Sequence, residues 1–389
     1  MRNISVVIPT YNFADVTQKV IQATLNQTLK PNELIIIDSS EDESISSLVS
    51  SLDREISIIY TRVQHLLPGE ARNKGASLAS CDWLAFLDSK TIPVETWLES
   101  NFLALDQKKV DVIFGSTKYL ANTDFQQSLR ACTYGLLPTE TTPGSIINKS
   151  NFIKTGGFRE GVRAGEDMEW RDGIKNSDLS CYSPREATLT YNELPKKLLP
   201  TIQRFFVYQM HTARVNIQNT PKKIMLSFFL IFLTILVPQW NALVGRSDSI
   251  LYFPNITKLY LLFLATLMLI IAVLKRSWIN KNINSILRLS FVFSIIIIFF
   301  FVAFYWNGLV AKWVEESVWY IPNITKIYIA FCLSCSIFYR GIYFPLKNGY
   351  LTNQIFPLRW VRVGLIGLIL DLAKTPGYIC GALIRLFTK

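Results

Sequence analysis

The stretch GEARNKGASLASCDWLAFLDSKTIP, residues 69–93, contains a helical segment followed by an apolar strand that ends in an acid. Residues 69–80 have a helical pattern, and residues 82–90 place four hydrophobic residues directly before Asp88. A short apolar run that stops at a carboxylate is typical of a buried strand whose end carries a functional side chain. This pairing of helix and strand favours an α/β sheet.

The same alternation occupies the residues before this stretch. Apolar, β-branched runs at 4–10, 32–40 and 55–62 predict three further strands, and 14–28 predicts a helix between the first two. Strands interleaved with helices predict a parallel, doubly wound sheet. Ligands of such sheets lie beyond the carboxyl ends of the strands. Polar residues stand at three of these ends: Thr10-Tyr11-Asn12, Asp38 and Asp88.

Charge and apolar residues divide the chain into two parts. Residues 1–221 carry 23 Lys and Arg against 25 Asp and Glu, whereas residues 222–389 carry 17 against 4. The net charge of +11 therefore comes from the second part, which also holds the long apolar runs. Basic residues that flank membrane segments do not indicate nucleic-acid binding, so no nucleic-acid partner is expected.

Residues 222–389 predict a membrane domain with about four transmembrane helices, following a separate domain of residues 1–221. The spans are predicted at 222–237, 259–274, 289–306 and, more weakly, 327–346. A last apolar segment, 363–387, is interrupted by Asp371, Lys374 and Pro376. It is expected to be interfacial or re-entrant rather than a simple span.

Lys and Arg also predict the orientation. They cluster before the first span, between the second and third, and after the fourth, which are on one side if all four segments cross. That side is expected to be cytoplasmic. Residues 1–12 lack the long apolar core of a secretory signal, so the front domain is expected in the cytoplasm, on the inner or plasma membrane.

Four motifs in order then point to a family. They are VVIPTYN (6–12), LIIIDSS (34–40), the stretch 69–93, and GSIINKSNFIKTGGFREGVRAGEDMEW (144–170). Together they resemble the motifs of family 2 glycosyltransferases of the GT-A fold. The resemblance covers about residues 3–215. It implies a GT-A-like doubly wound mixed sheet, a nucleotide-sugar donor and inverting sugar transfer.

The resemblance implies a set of donor-binding residues along the strand ends, and their chemistry agrees with it. They are Pro9, Thr10, Tyr11, Asp38, Arg72, Asn73, Asp88 and Lys90. Asp38 can accept hydrogen bonds from a base or a ribose, and Arg72 suits phosphate geometry. Structural roles compete with these, since Asp38 lies in a run suited to helix N-capping and Arg72 could form a surface salt bridge.

The adjacent acids Glu166 and Asp167 form the predicted catalytic pair. Inverting transfer needs a base that removes the proton of the attacking hydroxyl, and the resemblance assigns this role to Asp167. An acid-rich first turn of a helix is the competing interpretation. Arg163 and Arg171 are available to pair with these acids, and Trp170 either stacks on an acceptor sugar or packs in the core.

Lys90 departs from the family pattern, which expects a second acid there to complete an Asp-x-Asp metal motif. Asp88 is then the single predicted ligand for Mg²⁺ or Mn²⁺. Three interpretations stay open: Lys90 replaces the metal as the cation beside the diphosphate, Asp88 still holds a metal while Lys90 contacts phosphate, or the site does not react.

The family's processive members carry Gln-x-x-Arg-Trp before their membrane helices, and residues 201–216 lack it. Transfer of one sugar to a lipid-linked or membrane-proximal glycan is therefore expected. His211 and Arg214 in this segment either meet donor phosphates or lie at the membrane surface. Two alternatives remain: a non-catalytic binding module of a polysaccharide assembly complex, and a polyprenyl-phosphate glycosyltransferase.

Overall fold

The computed structural model describes residues 3–52, 56–215, 217 and 333–387. The chain divides into two compact units, and every described residue belongs to the unit formed by residues 1–228 and 333–389. The predicted spans 222–237, 259–274 and 289–306, and the first part of 327–346, lie outside the described residues. The boundary at residue 221 does so too, and it stays a prediction.

The described residues contain nine strands. Their bounds are β1 Ile4–Thr10, β2 Glu33–Asp38, β3 Ser57–Arg62, β4 Trp83–Phe86, β5 Thr91–Pro93, β6 Val112–Tyr119, β7 Thr139–Asn148, β8 Cys181–Tyr182 and β9 Leu189–Tyr191.

Helices connect the strands and continue after them. In the front part they are α1 Ala14–Leu25, α2 Ser44–Ser50, α3 Pro68–Leu78, α4 Trp97–Lys108, α5 Asp124–Thr133, α6 Lys149–Lys154, α7 Glu166–Lys175 and α8 Leu198–Thr212. A π-helical turn, Tyr339–Tyr343, leads into α9 Phe344–Lys347, α10 Thr352–Ile355 and α11 Arg359–Phe387.

The strands form one mixed sheet in the order β3-β2-β1-β4-β7-β6-β9-β5, with β8 beside β6. The first four are parallel, whereas β7 runs antiparallel to both β4 and β6. This is the arrangement expected of a doubly wound half extended by antiparallel strands. The predicted α/β fold is confirmed.

The sheet separates two apolar layers, because alternate side chains of a strand point to opposite faces. Val6 and Ile8 of β1 pack with α1, α2 and α4, whereas Val7 packs with α3, α6 and α7. The four strands predicted from sequence all lie in this parallel half. The predicted strand 82–90 ends at Phe86, because residues 88–91 form a turn.

The C-terminal helices pack on the front part of the chain. A third apolar cluster joins Leu129 and Cys132 of α5 to residues of the C-terminal segment, which are Tyr350, Ile355, Val363, Ile366 and Leu370. At its centre Arg340 donates to both carboxylate oxygens of Asp371, at 2.8 and 2.7 Å, and to the carbonyl oxygen of Cys132 at 3.2 Å. Lys374 adds a contact to Asp371 at 3.2 Å. The buried carboxylate of Asp371 is thus neutralised by Arg340 and Lys374.

The last helix, α11, is continuous across Asp371, Lys374 and Pro376. It approaches α8 at two glycines four residues apart: a Cβ at Gly377 would lie 2.4 Å from the carbonyl oxygen of Phe206, and one at Gly381 only 2.0 Å from that of Met210. Among the described residues, α11 has the single stretch long and apolar enough to cross a membrane, a property shared with core helices. Its predicted interfacial or re-entrant placement stays a prediction.

Candidate functional site

The polar strand ends meet at one edge of the sheet. Thr10 of β1 pairs in register with Asp38 of β2, and Leu87 donates its N–H to Val7 of β1, which places Asp88 beside them. Because β1, β2 and β4 are parallel, their carboxyl ends share this edge. The polar residues that the sequence places at strand ends therefore lie along one edge of the sheet.

Arg72 connects this edge to the acid pair. It lies on α3, and its side chain is only 3% exposed. One guanidinium nitrogen donates to Asp88 at 2.5 Å and the other to Glu166 at 3.1 Å. Two motifs 78 positions apart, the end of β4 and the start of α7, are thus held on one side chain. Arg72 is therefore a buried bridge, so the alternative of a surface salt bridge is wrong, and its predicted contact with the donor stays a prediction.

Burial and charge shift the pKa values of this cluster. Desolvation raises the pKa of Glu166 to about 7, the charge of Asp167 adds to that shift, and Arg72 opposes it. Desolvation alone would lower the pKa of Arg72, but Asp88 and Glu166 hold it above its usual value. The Nε of Arg72 and the Oε2 of Glu166 are buried without a hydrogen-bond partner among the described residues. The pKa of each group in this cluster therefore depends on the charges of the others.

We expect Glu166 to give the fold a distinctive pH dependence. Its folded-state pKa of about 7 lies above the usual 4.5, so the folded state keeps a proton that the unfolded state releases. This contribution to stability is complete below about pH 4.5 and is lost as the pH rises through about 7. Urea unfolding at successive pH values should therefore show wild type losing stability relative to Glu166→Gln over that range.

Glu95→Gln, at an exposed carboxylate, is the matched control, and it should follow the wild-type pH profile. A Glu166→Gln profile parallel to wild type between pH 4.5 and 7 would contradict the assigned shift.

Asp167 lies next to Glu166 but is bonded differently. Its backbone carbonyl accepts a hydrogen bond from Thr142 at 2.9 Å, which fixes the first turn of α7. Among the described residues its carboxylate has no hydrogen-bonded partner, and it is half-buried. A carboxylate at a helix N-terminus, fixed at its backbone and open at its oxygens, can receive a proton from a substrate.

The start of α7 is fixed from behind by α8. Gly165 adopts φ +96°, and a Cβ there would meet Val215 at 3.0 Å. His211 of α8 accepts the backbone N–H of Arg163 at its Nδ1, 3.2 Å away. Burial lowers the pKa of His211, with Arg214 and Arg163 adding to the effect, which suits a neutral accepting nitrogen. The proposed contact of His211 and Arg214 with donor phosphates stays untested.

Asp38 is fully buried beneath the predicted donor edge. One of its oxygens accepts from the hydroxyl of Thr10 and from the backbone and side chain of Ser40, and the other accepts from Tyr60 at 2.8 Å. Asp38 therefore organises the edge through hydroxyl groups. Both oxygens are buried and already accept hydrogen bonds, so the predicted contact of Asp38 with a donor base has no support in this arrangement.

Residues after β1 form an unusual loop. Asn12 and Phe13 have φ of 56° and 61°, a left-handed conformation that non-glycine residues seldom adopt twice in succession. Asn12 is bonded to Ser40 through its N–H, and Tyr11 donates to Glu41 at 2.8 Å. Such backbone geometry concentrates at ligand sites. Pro9, which lies in β1 just before this loop, is half-buried.

Two predicted substrate contacts are occupied by internal structure. The amide of Asn73 donates to the carbonyl oxygen of Phe158 and accepts its N–H, each at 2.8 Å, so Asn73 holds a loop. Trp170 is 4% exposed and packs against Phe86, Phe114, Phe152 and Phe158. Its indole N–H donates to Thr155. Trp170 thus belongs to the core, and its predicted stacking on an acceptor sugar is wrong because neither ring face reaches the surface.

The arginines considered for the acid pair lie elsewhere. Arg171 pairs with Glu140 at 2.9 Å, and Lys175 shares that carboxylate. The Arg163 guanidinium lies 5.9 Å from the centre of the Tyr11 ring. Glu166 is instead paired with Arg72 of α3. Because Arg72 is far from Glu166 in sequence, the residues around the acid pair could not reveal this partner.

Lys90 follows Asp88 in a tight turn. The N–H of Thr91 donates to the carbonyl oxygen of Asp88 at 3.1 Å, and the Thr91 hydroxyl accepts the N–H of Asp88. Lys90 Nζ lies 3.7 Å from the centre of the Phe13 ring. Burial lowers the pKa of Lys90, and Arg204 is the strongest charged neighbour acting in the same direction.

These residues offer a divalent metal one carboxylate. One oxygen of Asp88 is already bonded to Arg72, and the position where a second acid would stand carries an ammonium group. Within the residues that the structure describes, no three His, Cys, Asp or Glu side chains gather in a metal-binding group. Mg²⁺ is commonly held by one or two carboxylates together with substrate phosphates and water, and Asp88 is a single carboxylate with one oxygen already engaged, so its tentative assignment as a metal ligand stays a prediction.

Arg204 is a site residue that the sequence analysis missed. It lies on α8 and donates to the hydroxyl groups of Tyr191 at 2.9 Å and Tyr208 at 3.1 Å. Tyr119 and Tyr134, stacked 4.1 Å apart, complete this aromatic group, in which Tyr119 lies 5.4 Å from Tyr191. The spacing of four between Arg204 and Tyr208 on one helix face was the available signal.

Comparisons with known proteins agree with the resemblance. Residues 5–161 match the model of "Glycosyl transferase family 2". A Rickettsia bellii protein named "Uncharacterized glycosyltransferase" is 27% identical over 174 residues, covering 42% of this chain and 25% of its own length. The Escherichia coli "UDP-Glc:alpha-D-GlcNAc-diphosphoundecaprenol beta-1,3-glucosyltransferase WfaP" is 29% identical over 126 residues, covering 32% and 49%.

Among solved structures, the chain is similar to S. aureus TarS 1–349 in complex with UDP-GlcNAc, with a TM-score of 0.41 and 14% identity. That similarity covers 64% of this chain and 76% of the TarS chain. The chain spans less than two thirds of the length of the two relatives above. The family match and these relatives support a family 2 glycosyltransferase domain in the front part of the chain.

Proposed function

We propose that the protein is an inverting glycosyltransferase that moves one sugar from a nucleotide-sugar donor to a lipid-linked or membrane-proximal glycan. The observation that carries this proposal is the Arg72 bridge. It holds the donor-side Asp88 and the acid pair at one edge of the sheet, with the carboxylate of Asp167 open beside it. A packed fold alone needs no such buried convergence of charges.

In the proposed reaction, Asp167 accepts the proton of the acceptor hydroxyl. The hydroxyl oxygen forms a bond to the anomeric carbon as the bond from that carbon to the donor diphosphate breaks, and the nucleoside diphosphate leaves with the electron pair. Attack opposite the leaving group inverts the anomeric configuration. Glu166, bonded to Arg72, fixes the distance between Asp167 and the donor edge.

A lipid-linked acceptor is supported by two features. WfaP, one of the relatives, is named for transfer to a diphosphoundecaprenol-linked sugar. The apolar α11 and the basic, apolar residues 222–332 suit a protein whose acceptor is held at a membrane. We therefore place the protein in the inner or plasma membrane with its α/β domain in the cytoplasm.

The proposal predicts sugar transfer by the full chain in membranes. Membranes containing the protein, supplied with radiolabelled nucleotide sugars, should convert one donor into label that partitions into organic solvent and should release its nucleoside diphosphate. Membranes containing Asp167→Asn should not. A lipid product that carries a single sugar and is cleaved by mild acid would favour the polyprenyl-phosphate alternative. Nucleotide binding without turnover of any donor would favour the binding module.

A further inference from the structure

Lys90 and Arg204 are two cations brought to the same place by the sheet. Lys90 immediately precedes β5, and Thr91 pairs with Tyr191 of β9. The hydroxyl of Tyr191 in turn accepts a hydrogen bond from Arg204 at 2.9 Å. The β5–β9 ladder and this hydrogen bond therefore bring Lys90 close enough to Arg204 for the two charges to act on each other.

Neither cation is neutralised there. In the described parts of the chain, neither Lys90 nor Arg204 forms an ion pair. Arg204 is half-buried, and its hydrogen-bonded partners are the neutral hydroxyls of Tyr191 and Tyr208. Lys90 faces the ring of Phe13. Burying uncompensated charge is costly unless a ligand of opposite charge completes the site.

Charged side chains of both signs surround Lys90. Arg163 is a third cation acting on Lys90, and Glu193 and Asp88 oppose it. The Asp88 carboxylate is already paired with Arg72, and Glu193 is exposed. Within the described ranges, Lys90 and Arg204 thus have no carboxylate bonded to them, and both remain available to an anionic ligand.

We infer that Lys90 and Arg204 together bind the diphosphate of the nucleotide-sugar donor and stabilise it as it leaves, in the place of a divalent metal ion. This inference rests on the proposed function. When the bond between the anomeric carbon and the diphosphate oxygen breaks, the electron pair stays on that oxygen and the leaving group gains one negative charge. Fixed cations at that oxygen stabilise the transition state more than the bound donor.

The two side chains divide the task by their chemistry. Arg204 has a planar guanidinium, oriented by two tyrosine hydroxyls, which suits two phosphate oxygens at once. Lys90 is a compact charge on a flexible chain, so it can follow the oxygen on which charge develops. Asp88 remains a partner of Arg72 and is not needed as a metal ligand.

Calorimetry with UDP, GDP, ADP and CDP, each with and without EDTA, tests the inference directly. One of these diphosphates should bind wild type equally well in both conditions. Lys90→Met and Arg204→Met should each weaken that binding about tenfold or more, the usual cost of losing a charged hydrogen-bond partner. Binding of the matching nucleoside should stay unchanged, Lys90→Arg should retain most of the affinity, and Lys154→Met, at an exposed lysine, should behave as wild type.

The variant Lys90→Asp restores the missing acid and gives an independent test. Its diphosphate binding should become dependent on Mn²⁺ and sensitive to EDTA, in contrast to wild type. Because Lys90 lies on a half-exposed turn, its variants remain informative even if Arg204→Met does not fold.

Loss of wild-type diphosphate binding in EDTA would overturn the inference, as would binding by none of the four diphosphates. An Arg204→Met protein that binds diphosphate normally but has a raised KM for the acceptor would also overturn it, assigning Arg204 to an acceptor phosphate. Metal-independent, Lys90-dependent diphosphate binding without sugar transfer would instead refute the proposed function and leave the anion site standing.

Discussion

Asp167→Asn should lower the turnover number of sugar transfer by about 10³-fold, within the range that general bases contribute. An amide at this position cannot take the proton of the acceptor hydroxyl, although it keeps the shape of the carboxylate. The first turn of α7 should be preserved, since Thr142 bonds the backbone of residue 167 and not its side chain. Affinity for the nucleoside diphosphate should therefore change by less than about threefold, well below one charged contact.

The measurement is a pair of assays on the same preparation: initial rates of labelled-sugar transfer, and calorimetric binding of the diphosphate. Asp172→Asn is the matched control, because it makes the same change on the exposed face of the same helix and should transfer at the wild-type rate. If Asp167→Asn keeps a tenth or more of wild-type turnover, Asp167 is not the base.

Arg72→Met should cost the fold about 3–5 kcal/mol, the typical effect of removing one partner from a buried ion pair. The Glu166 side chain is only 4% exposed, and without the guanidinium it must either keep an uncompensated charge or take up a proton, because Arg72 is what lowers its pKa. The Asp88 side chain is 39% exposed and loses less, because water can solvate it. Chemical denaturation followed by intrinsic fluorescence measures the difference.

Arg159→Met provides the comparison for Arg72. It breaks the more exposed pair with Glu169, which should cost less than about 1 kcal/mol. Adding Glu166→Gln to Arg72→Met should recover part of the lost stability, since the orphaned charge is removed with its partner. An Arg72→Met protein as stable as Arg159→Met would show that the bridge contributes little to folding.

The parallel half of the sheet could be predicted because its signals are local. Each of the four predicted strands is an apolar run bounded by polar residues, and each ends at or near the edge where Thr10, Asp38 and Asp88 lie. The strands β5 and β9 have three residues each, too few to show alternation, and they depend on tertiary pairing, β9 with β6 and β5 with β9. Their pairing is what places Lys90 near Arg204, so this juxtaposition had no local signature.

The candidate site could be predicted in part, again where its residues have a local signal. Residues at strand ends and in the acid pair carry their own pattern, whereas the Arg72 bridge depends on where α3 and α7 meet in the fold. Trp170 shows the opposite difficulty. An aromatic residue three positions after an acid looks the same in sequence whether it faces a sugar or the core, and only its packing against four aromatic rings decides the matter.

The contact between α8 and α11 has a consequence for how the protein is made. The helix that carries Arg204 is backed by Gly377 and Gly381, and α5 beside it is covered by the cluster that includes Val363. A ribosome synthesises these residues more than 100 positions after α8. The packing of α8 is therefore completed only after the C-terminal helix has been synthesised, and the folding of this part of the protein cannot finish before residue 381 has left the ribosome.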